Sequence, residues 1–200
     1  MIRIFFTVAV VVAVLFSQNN FPMTHLSSYL LLPSSADGEA SGEAFVSSCT
    51  NPASSMGEDG IKISASYRYR WGDASDDFLS VDGCYEKYAF FAQAEMSSVS
   101  EIEGRTFATS EPDYIFYANR ANIMVGVSRI FGENIRLGLA YRHIYERIEF
   151  TTMDANTFSA GLTARWQNLY GGISVTDYGS KDSFLEYLYP LPTTYRAYAE

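Results

Sequence analysis

The chain has 200 residues, with 14 Lys and Arg against 23 Asp and Glu, and a formal net charge of −9. Its densest basic stretch is the alternating pair Arg68 and Arg70, which excludes a protein built to grip the phosphate backbone of a nucleic acid. Tyr and Phe number 15 and 14, yet the mean hydropathy is −0.04. Apolar residues are therefore interleaved with polar ones, a pattern typical of β-structure, and the length suits one domain.

The first residues have the pattern of a secretory signal peptide. Arg3 precedes residues 4–16, which are apolar except for Thr7. A run of this length matches the roughly 7–15 residues of a signal peptide better than the roughly 20 of a membrane-spanning helix, although a retained anchor stays open. We predict a signal peptide at 1–17, a leader at 18–56 and a β-domain at 57–200.

Two segments alternate between apolar and polar residues without interruption. In 61–71 the odd positions are apolar or aromatic and the even ones polar, and 156–166 repeats the pattern with Phe158 and Trp166 on its apolar face. A period of two specifies a strand with one apolar face. Other strands are predicted near 77–81, 84–97, 113–118, 121–131, 135–150, 169–177, 184–189 and 193–199.

Short turn signals separate these strands. Asp82-Gly83 is a dipeptide favoured in tight hairpin turns, and 132–134 and 167–168 are similarly short. Connections of this length join antiparallel neighbours, because a parallel crossover needs a dozen residues or more. Three aspartates within 72–77 are interpreted as a solvated turn, since their spacing is not that of a calcium loop.

The length of the strands predicts the architecture. Segment 135–150 has sixteen residues, whereas strands of globular proteins have roughly 5–6 and those of membrane barrels roughly 9–11. Aromatic residues concentrate near strand ends, as in the belts at both membrane interfaces. We predict an all-β antiparallel outer-membrane barrel of about 8–10 strands. A soluble secreted barrel would show the same alternation and remains an alternative.

The segment before the first strand carries a series of short motifs. They read "YLLLPSSA" (29–36), "GEAF" (42–45) and "NPASSM" (51–56), and "FSAGLTARWQNLYGGISV" (158–175) follows later. In order and spacing they resemble outer-membrane β-barrels of the PorV/PorQ-like kind, which are related to the FadL fatty-acid channels. The motif residues are Gly42, Ala44, Phe45, Asn51, Pro52 and Ala53. A PorP/SprF-like family, which shares "NPA" and a strand such as "YRYRW" (67–71), is the second choice.

The resemblance implies a function and a position for the leader. It implies a non-enzymatic component of type IX protein secretion in the outer membrane, whose partners are membrane lipid, secretion components and exported cargo. A FadL-like channel for small hydrophobic compounds is the alternative. Residues 29–45 would form a plug or latch at the barrel mouth. Asp37 departs from the basic residue of the family, and the predicted strands fall short of its usual fourteen or so.

No constellation of catalytic or cofactor-binding residues emerges from the sequence. His143, Tyr145, Arg147 and Glu149 share one face of a strand, which could suggest acid–base chemistry, but the pattern favours the polar end of a barrel wall. Phosphate-binding loops, nucleophile elbows and Cys-His metal spacings are not found. We expect no enzyme activity and no cofactor.

Two further predictions concern charge and covalent structure. If the polar faces of the strands look inward, the lumen carries cations that could pair with the leader acids Asp37, Glu39 and Glu43, and independent solvated charges are the alternative. The cations are Lys62, Arg68, Arg70, Arg136 and Arg142. The two cysteines, Cys49 and Cys84, would pair as a disulfide after export into an oxidising compartment, closing a loop worth roughly 3–4 kcal/mol.

Overall fold

The computed structural model describes residues 48–54, 59–70, 73–108, 110–179, 182–184, 187–189, 191 and 193–199. It contains a short 3-10 turn, Pro52–Ser54, and ten strands. The strands are β1 Gly60–Arg70, β2 Ala74–Tyr85, β3 Tyr88–Gly104, β4 Tyr114–Phe131, β5 Ile135–Ile148, β6 Thr151–Trp166, β7 Leu169–Gly179, β8 Asp182–Phe184, β9 Tyr187–Tyr189 and β10 Thr194–Ala199. The predicted signal peptide and the proposed latch, including Gly42, Ala44, Phe45 and the acids Asp37, Glu39 and Glu43, lie outside these residues.

Eight strands form one antiparallel sheet in the order β1-β2-β3-β4-β5-β6-β7-β10, and β8 and β9 form a separate hairpin. The all-β antiparallel prediction is thus confirmed. Within the described part of the chain the sheet is open, with β1 and β10 as its edges. One end carries the tight turns 86–87, 132–134 and 167–168. The other end carries the short connections 71–73 and 149–150 and the longer connections 105–113 and 180–193.

The sheet is rolled around the segment 48–54. The Ser48 side chain bonds Asp82 on β2, whereas the Thr50 carbonyl accepts a hydrogen bond from Ser174 on β7. In a flat sheet β2 and β7 would stand roughly 24 Å apart, at about 4.8 Å per strand. Two residues of chain span at most about 7 Å. Both strands can therefore reach this short segment only because the sheet curves, and the segment lies on the concave face.

The two faces of the rolled sheet have opposite polarity. Buried side chains on the concave face are mostly polar, and they include Asp76, Ser80, Gln93, Asn122, Arg142, Thr157, Thr163, Thr176 and Asp177. Small apolar clusters lie among them, one formed by Phe91, Met124 and Ala140. The convex face exposes apolar and aromatic side chains, including Ile63, Tyr67, Phe90, Ile123, Val127, Leu139, Phe158, Trp166 and Ile173. This distribution is the reverse of that in a water-soluble globular domain.

The predicted faces agree with the structure, but one predicted turn is wrong. Asp82 and Gly83 lie inside β2, and the tight turn is Glu86-Lys87, where Glu86 has a φ of 53°. Gly83 has another role, because a Cβ atom there would lie 2.3 Å from the ring of Phe90 on the neighbouring strand. The glycine leaves room for an aromatic side chain on the convex face.

The prediction of a solvated turn at the aspartate-rich segment 72–77 is wrong for its second half. β2 begins at Ala74, and Asp76 is buried on the concave face. One strand, β4, covers the segments 113–118 and 121–131, which were predicted as two strands. Strand β6 begins five residues earlier than predicted. Among the described residues, no helix is long and apolar enough to span a membrane.

Candidate functional site

The motif Asn51-Pro52-Ala53 forms a compact turn buried against the concave face. The Asn51 side-chain oxygen accepts a hydrogen bond from the Ala53 amide at 2.9 Å, and the Ser54 amide donates to the Asn51 carbonyl at 2.8 Å. Asn51 is 0 % exposed. An asparagine that bonds its own backbone two residues on, followed by a proline that fixes φ, is a strong local turn former.

Two glycines on adjacent strands form the seat of this turn. Gly138 on β5 is directly opposite Gly161 on β6. A Cβ atom at Gly138 would lie 2.3 Å from the Pro52 carbonyl carbon, and one at Gly161 would lie 1.9 Å from the Asn51 side-chain oxygen. Any side chain at either position would occupy the space of the turn, so the glycine pair allows backbone to approach backbone. The turn and its two glycines are called the NPA seat below.

The residues before the turn are held by side chains of β2, β3 and β7. Gln93 donates to the Ser48 hydroxyl at 2.6 Å and accepts a hydrogen bond from the Cys49 thiol at 2.8 Å. Ser48 also donates to Asp82 at 3.2 Å, and Ser174 donates to the Thr50 carbonyl at 2.8 Å. The segment is therefore fixed at both ends as well as at the seat.

The predicted disulfide is not formed. Cys49 and Cys84 are both thiols, and Cys49 contacts Gln93, which is opposite Ser80 on β2. Ser80 precedes Cys84 by four residues, roughly 13 Å along a strand. A disulfide requires Cα atoms within about 7 Å, and the side chain of Cys49 is directed to a different level of the sheet.

A buried ion pair lies further along the concave face, toward the long connections. The Arg142 guanidinium on β5 is 3.1 Å from the Asp177 carboxylate on β7, and these side chains are 7 % and 4 % exposed. Thr157 donates to the same carboxylate oxygen at 3.2 Å. A buried charge needs such a partner, because removal from water costs several kcal/mol per ion.

A β-bulge directs Asp177 into this position. Between Phe158 and Ala160 the register of β6 with β7 shifts, and Asp177 has a φ of 58°. In a regular strand consecutive side chains face opposite ways, yet Thr176 and Asp177 are both buried. Bulges re-aim side chains in this manner and occur often beside functional sites.

A third cluster gathers arginines around Asp76 near the end of β1. Arg70 Nε is 2.5 Å and Arg68 Nε is 3.6 Å from one Asp76 carboxylate oxygen, and Arg120 reaches 3.9 Å from the other. Ser97 also donates to this carboxylate, and Arg120 donates to Ser97 at 2.9 Å. The cluster ties four consecutive strands together across the concave face.

The remaining predicted cations lie on the same face of their strands. Lys62 is exposed at the start of β1 and Arg136 is half-buried near the start of β5. Of the five predicted cations, the structure brings together Arg68 and Arg70, and places Arg142 in a separate pair. Among the described residues, the acids that pair with them are Asp76 and Asp177. The prediction that leader acids also pair with them concerns residues outside the described part of the chain.

Neither acid was identified from the sequence as a partner. Asp76 was assigned to a loop in the sequence analysis. Because β2 begins at Ala74 and includes Asp76, this residue lies directly opposite Arg68 of β1. Asp177 requires knowledge of the bulge, for which the sequence carries no signal.

The polar residues considered for acid–base chemistry do not form a site. His143 lies on the convex face, 3.0 Å from Asn156 and 3.6 Å from Asp154, in an exposed group. No cluster of three or more His, Cys, Asp or Glu suited to a metal ion occurs in the part of the chain that the structure describes.

No protein-family model matches the chain, and no curated protein matches it either. The family resemblance therefore rests on the motifs quoted from the sequence.

Proposed function

We propose that this protein is a non-enzymatic outer-membrane β-barrel protein. The observation that carries the proposal is the reversed polarity of the sheet. Exposed apolar side chains cover the convex face over seven consecutive strands, while charged and hydrogen-bonded groups fill the concave face. Membrane barrels have an apolar outer band and a polar interior, because lipid contacts the outside and water or polar groups occupy the inside.

The ends of the sheet support the same proposal. All three turns at one end have two or three residues. The other end has two connections of that length, 71–73 and 149–150, and is the one that also carries the long connections 105–113 and 180–193. Bacterial outer-membrane barrels combine short periplasmic turns with long extracellular loops. In this orientation the NPA seat, which is nearer the short turns, would lie toward the periplasm.

Within the outer membrane, the polar interior favours a role in protein secretion over transport of a hydrophobic solute. Segment 48–54 occupies the concave face, and Leu191 packs against Ile144 and Ala155 beside the long connections. The Arg142–Asp177 pair is buried on the same face. A fatty acid would meet fixed charges there. A component that holds or hands over exported proteins, as the PorV/PorQ-like resemblance implies, needs no apolar passage.

Membrane fractionation and a transport assay test the proposal together. The chain should sediment with outer membranes after export, and cross-linking in cells with a functional type IX system should link it to exported or secretion proteins. Proteoliposomes containing it should take up a fluorescent long-chain fatty acid no faster than empty liposomes. Protein found only in the soluble periplasmic fraction would contradict the membrane assignment, and rapid uptake would support the FadL-like alternative.

A further inference from the structure

Arg129 is a charged side chain on the convex face near the tight turns. It is exposed on β4, two residues before the strand ends at Phe131. The other charged residues that β1–β7 expose on the convex face lie toward the long connections, and they include Asp77, Arg147 and Asp154. In the described strands, the half of this face that adjoins the tight turns therefore carries a single charge, and that charge is positive.

Two aromatic side chains hold the Arg129 guanidinium at the surface. Its Cζ atom is 5.2 Å from the centre of the Tyr88 ring, which is directly opposite on β3, and 5.1 Å from the centre of the Phe131 ring. Both distances are within the roughly 6 Å at which a ring attracts a cation. Tyr88 and Phe131 are 48 % and 44 % exposed. The guanidinium is therefore positioned on the outside of the sheet rather than beneath its side chains.

The two rings do not provide an oxygen acceptor for the N–H groups of Arg129. A guanidinium has five N–H donors, and its strong partners are carboxylates and phosphates. Among the described residues, the Arg129 side chain forms neither an ion pair nor a hydrogen bond. Arg147, at the other end of the same face, differs because its Nε donates to the Glu149 carbonyl at 3.2 Å. Arg129 therefore retains donors that an external anion can accept.

The level of Arg129 in the sheet matches that of a membrane interface. Tyr85 and Tyr88 flank the turn 86–87, Trp166 precedes the turn 167–168, and all three are exposed on the convex face. Tyrosine and tryptophan concentrate where hydrocarbon meets the lipid headgroups. Arginine is costly at the midplane of a bilayer and tolerated near its surfaces. The next convex residue of β4, toward the middle of the sheet, is the exposed Val127.

The chemistry of this position selects a phosphate as the anion. If the proposed function holds, on which this inference rests, the tight turns face the periplasm and the Arg129 guanidinium lies among lipid headgroups. Its planar fork binds a phosphate through two parallel hydrogen bonds. We propose that Arg129, positioned by Tyr88 and Phe131, binds the phosphate diester of a phospholipid at the periplasmic surface of the outer membrane. The contact fixes the depth of this end of the sheet in the bilayer.

Urea unfolding in two kinds of lipid vesicle tests the inference. Vesicles of phosphatidylethanolamine and phosphatidylglycerol supply phosphate diesters, whereas vesicles of digalactosyldiacylglycerol form a bilayer without phosphate. In phospholipid, Arg129→Gln should lower the ratio of folded to unfolded protein at a fixed urea concentration by about tenfold to a hundredfold, because hydrogen bonds to a charged group are lost. In galactolipid only the ring contacts are lost, and the ratio should fall by about twofold to fivefold.

Lys87→Gln is the matched control. Lys87 is exposed in the tight turn 86–87 beside Tyr88, so the substitution removes one positive charge at the same end of the sheet. A general attraction between the protein and anionic lipid would make the two variants lose stability alike. A phosphate site at Arg129 predicts that Lys87→Gln has the same small effect in both kinds of vesicle. Inorganic phosphate added to the galactolipid vesicles should leave the effect of Arg129→Gln unchanged.

The outcomes separate the inference from the proposed function. Equal effects of Arg129→Gln in the two kinds of vesicle, or equal effects of Arg129→Gln and Lys87→Gln in phospholipid, would overturn the phosphate site. If the parent protein folds into both kinds of vesicle in that case, the proposed function stands. An effect in galactolipid that grows on addition of inorganic phosphate would show a site for the free anion and overturn the lipid assignment. A parent protein that folds into neither kind of vesicle would contradict the proposed function together with the inference.

Discussion

At the residue scale, Gly161 is expected to control whether the NPA segment stays docked. A side chain at this position would overlap the Asn51 amide oxygen, and overpacking of this kind costs about 1–3 kcal/mol. Gly161→Val should therefore release residues 48–54 and raise the rate at which maleimide labels Cys49 by about fivefold to a hundredfold. The measurement uses a Cys84→Ser background, so that Cys49 is the only thiol.

Ala160→Val is the matched control for this substitution. Ala160 is the adjacent residue on β6 and points to the convex face, so the added methyl groups do not meet the turn. Its labelling rate should equal that of the parent. Equal rates in the Gly161→Val variant would show that the seat does not hold the segment.

Removal of either partner of the Arg142–Asp177 pair should strongly lower the stability of the protein, because the remaining charge would be buried without its partner. Removal of one partner from a buried pair costs about 3–5 kcal/mol, so Arg142→Met and Asp177→Asn should each lower the free energy of unfolding by that amount in urea titrations in detergent. The double variant should lose less than the sum of the two, because neither charge then remains.

Arg105→Met provides the comparison for an exposed pair. Arg105 and Glu103 are 2.6 Å apart, with side chains 33 % and 53 % exposed, and such surface pairs contribute about 0–1 kcal/mol. A loss at Arg142 no larger than the loss at Arg105 would contradict the assignment of a buried, desolvated pair.

The residues of the site were predictable from sequence to different degrees. Asn51 and Pro52 form a turn for local reasons, and the motif was visible in the sequence. Gly138 and Gly161 were not identified, because they are 23 positions apart and their function depends on the register of two strands. Asp177 was missed because a bulge breaks the period of two on which the prediction of faces relies.

At the element scale, the alternation of residues predicted the faces of the strands better than their ends. Phe158 and Trp166 are exposed while Thr157 and Thr163 are buried, as the pattern in 156–166 requires. The turn near Asp82-Gly83 was misplaced because the ladder continues to the pair Tyr85 and Tyr88. Strand pairing outweighed the local turn preference of the dipeptide.

The connection 105–113 should open at acidic pH. The Thr106 amide donates to the Asp113 carboxylate at 2.5 Å, and this bond lowers the pKa of Asp113 from its ordinary value of 3.8. Because the pKa of Asp113 is lower in the folded loop than in the unfolded chain, the ionised carboxylate stabilises the loop at pH values above the unfolded pKa. This stabilisation is lost as the pH falls through the folded pKa. The loop should be unchanged from pH 8 to pH 5.

NMR titration of the Thr106 amide proton measures this behaviour. Its chemical shift should change with a midpoint below pH 3.8, and Asp113→Asn should abolish the transition. A midpoint above that value would show that the hydrogen bond is absent in solution. Glu111→Gln, a nearby substitution in the same connection, should leave the midpoint in place.

At the scale of the whole molecule, composition and alternation predicted an all-β antiparallel chain but not the state of its edges. The near-zero mean hydropathy reflects strands with one apolar and one polar face. The alternation alone separates the two faces, and the polar face was assigned to the interior only through the expectation of a membrane barrel. The segment 48–54 settles that point, because its contacts with β2, β3 and β7 require the polar face to be inside.

The central claim, that the convex face contacts lipid, is tested most directly by placing an arginine at two exposed positions of that face. Leu139 is 63 % exposed in the middle of the apolar band, and Thr152 is exposed near the long connections. In a bilayer, Leu139→Arg should destabilise the folded protein by roughly 2–4 kcal/mol, falling to roughly 0–1 kcal/mol for Thr152→Arg near the interface. Unfolding in lipid vesicles, followed by the heat-dependent shift in gel mobility, gives both values. Because both side chains are exposed, equal and small effects would mean that water surrounds the convex face, and would contradict the account.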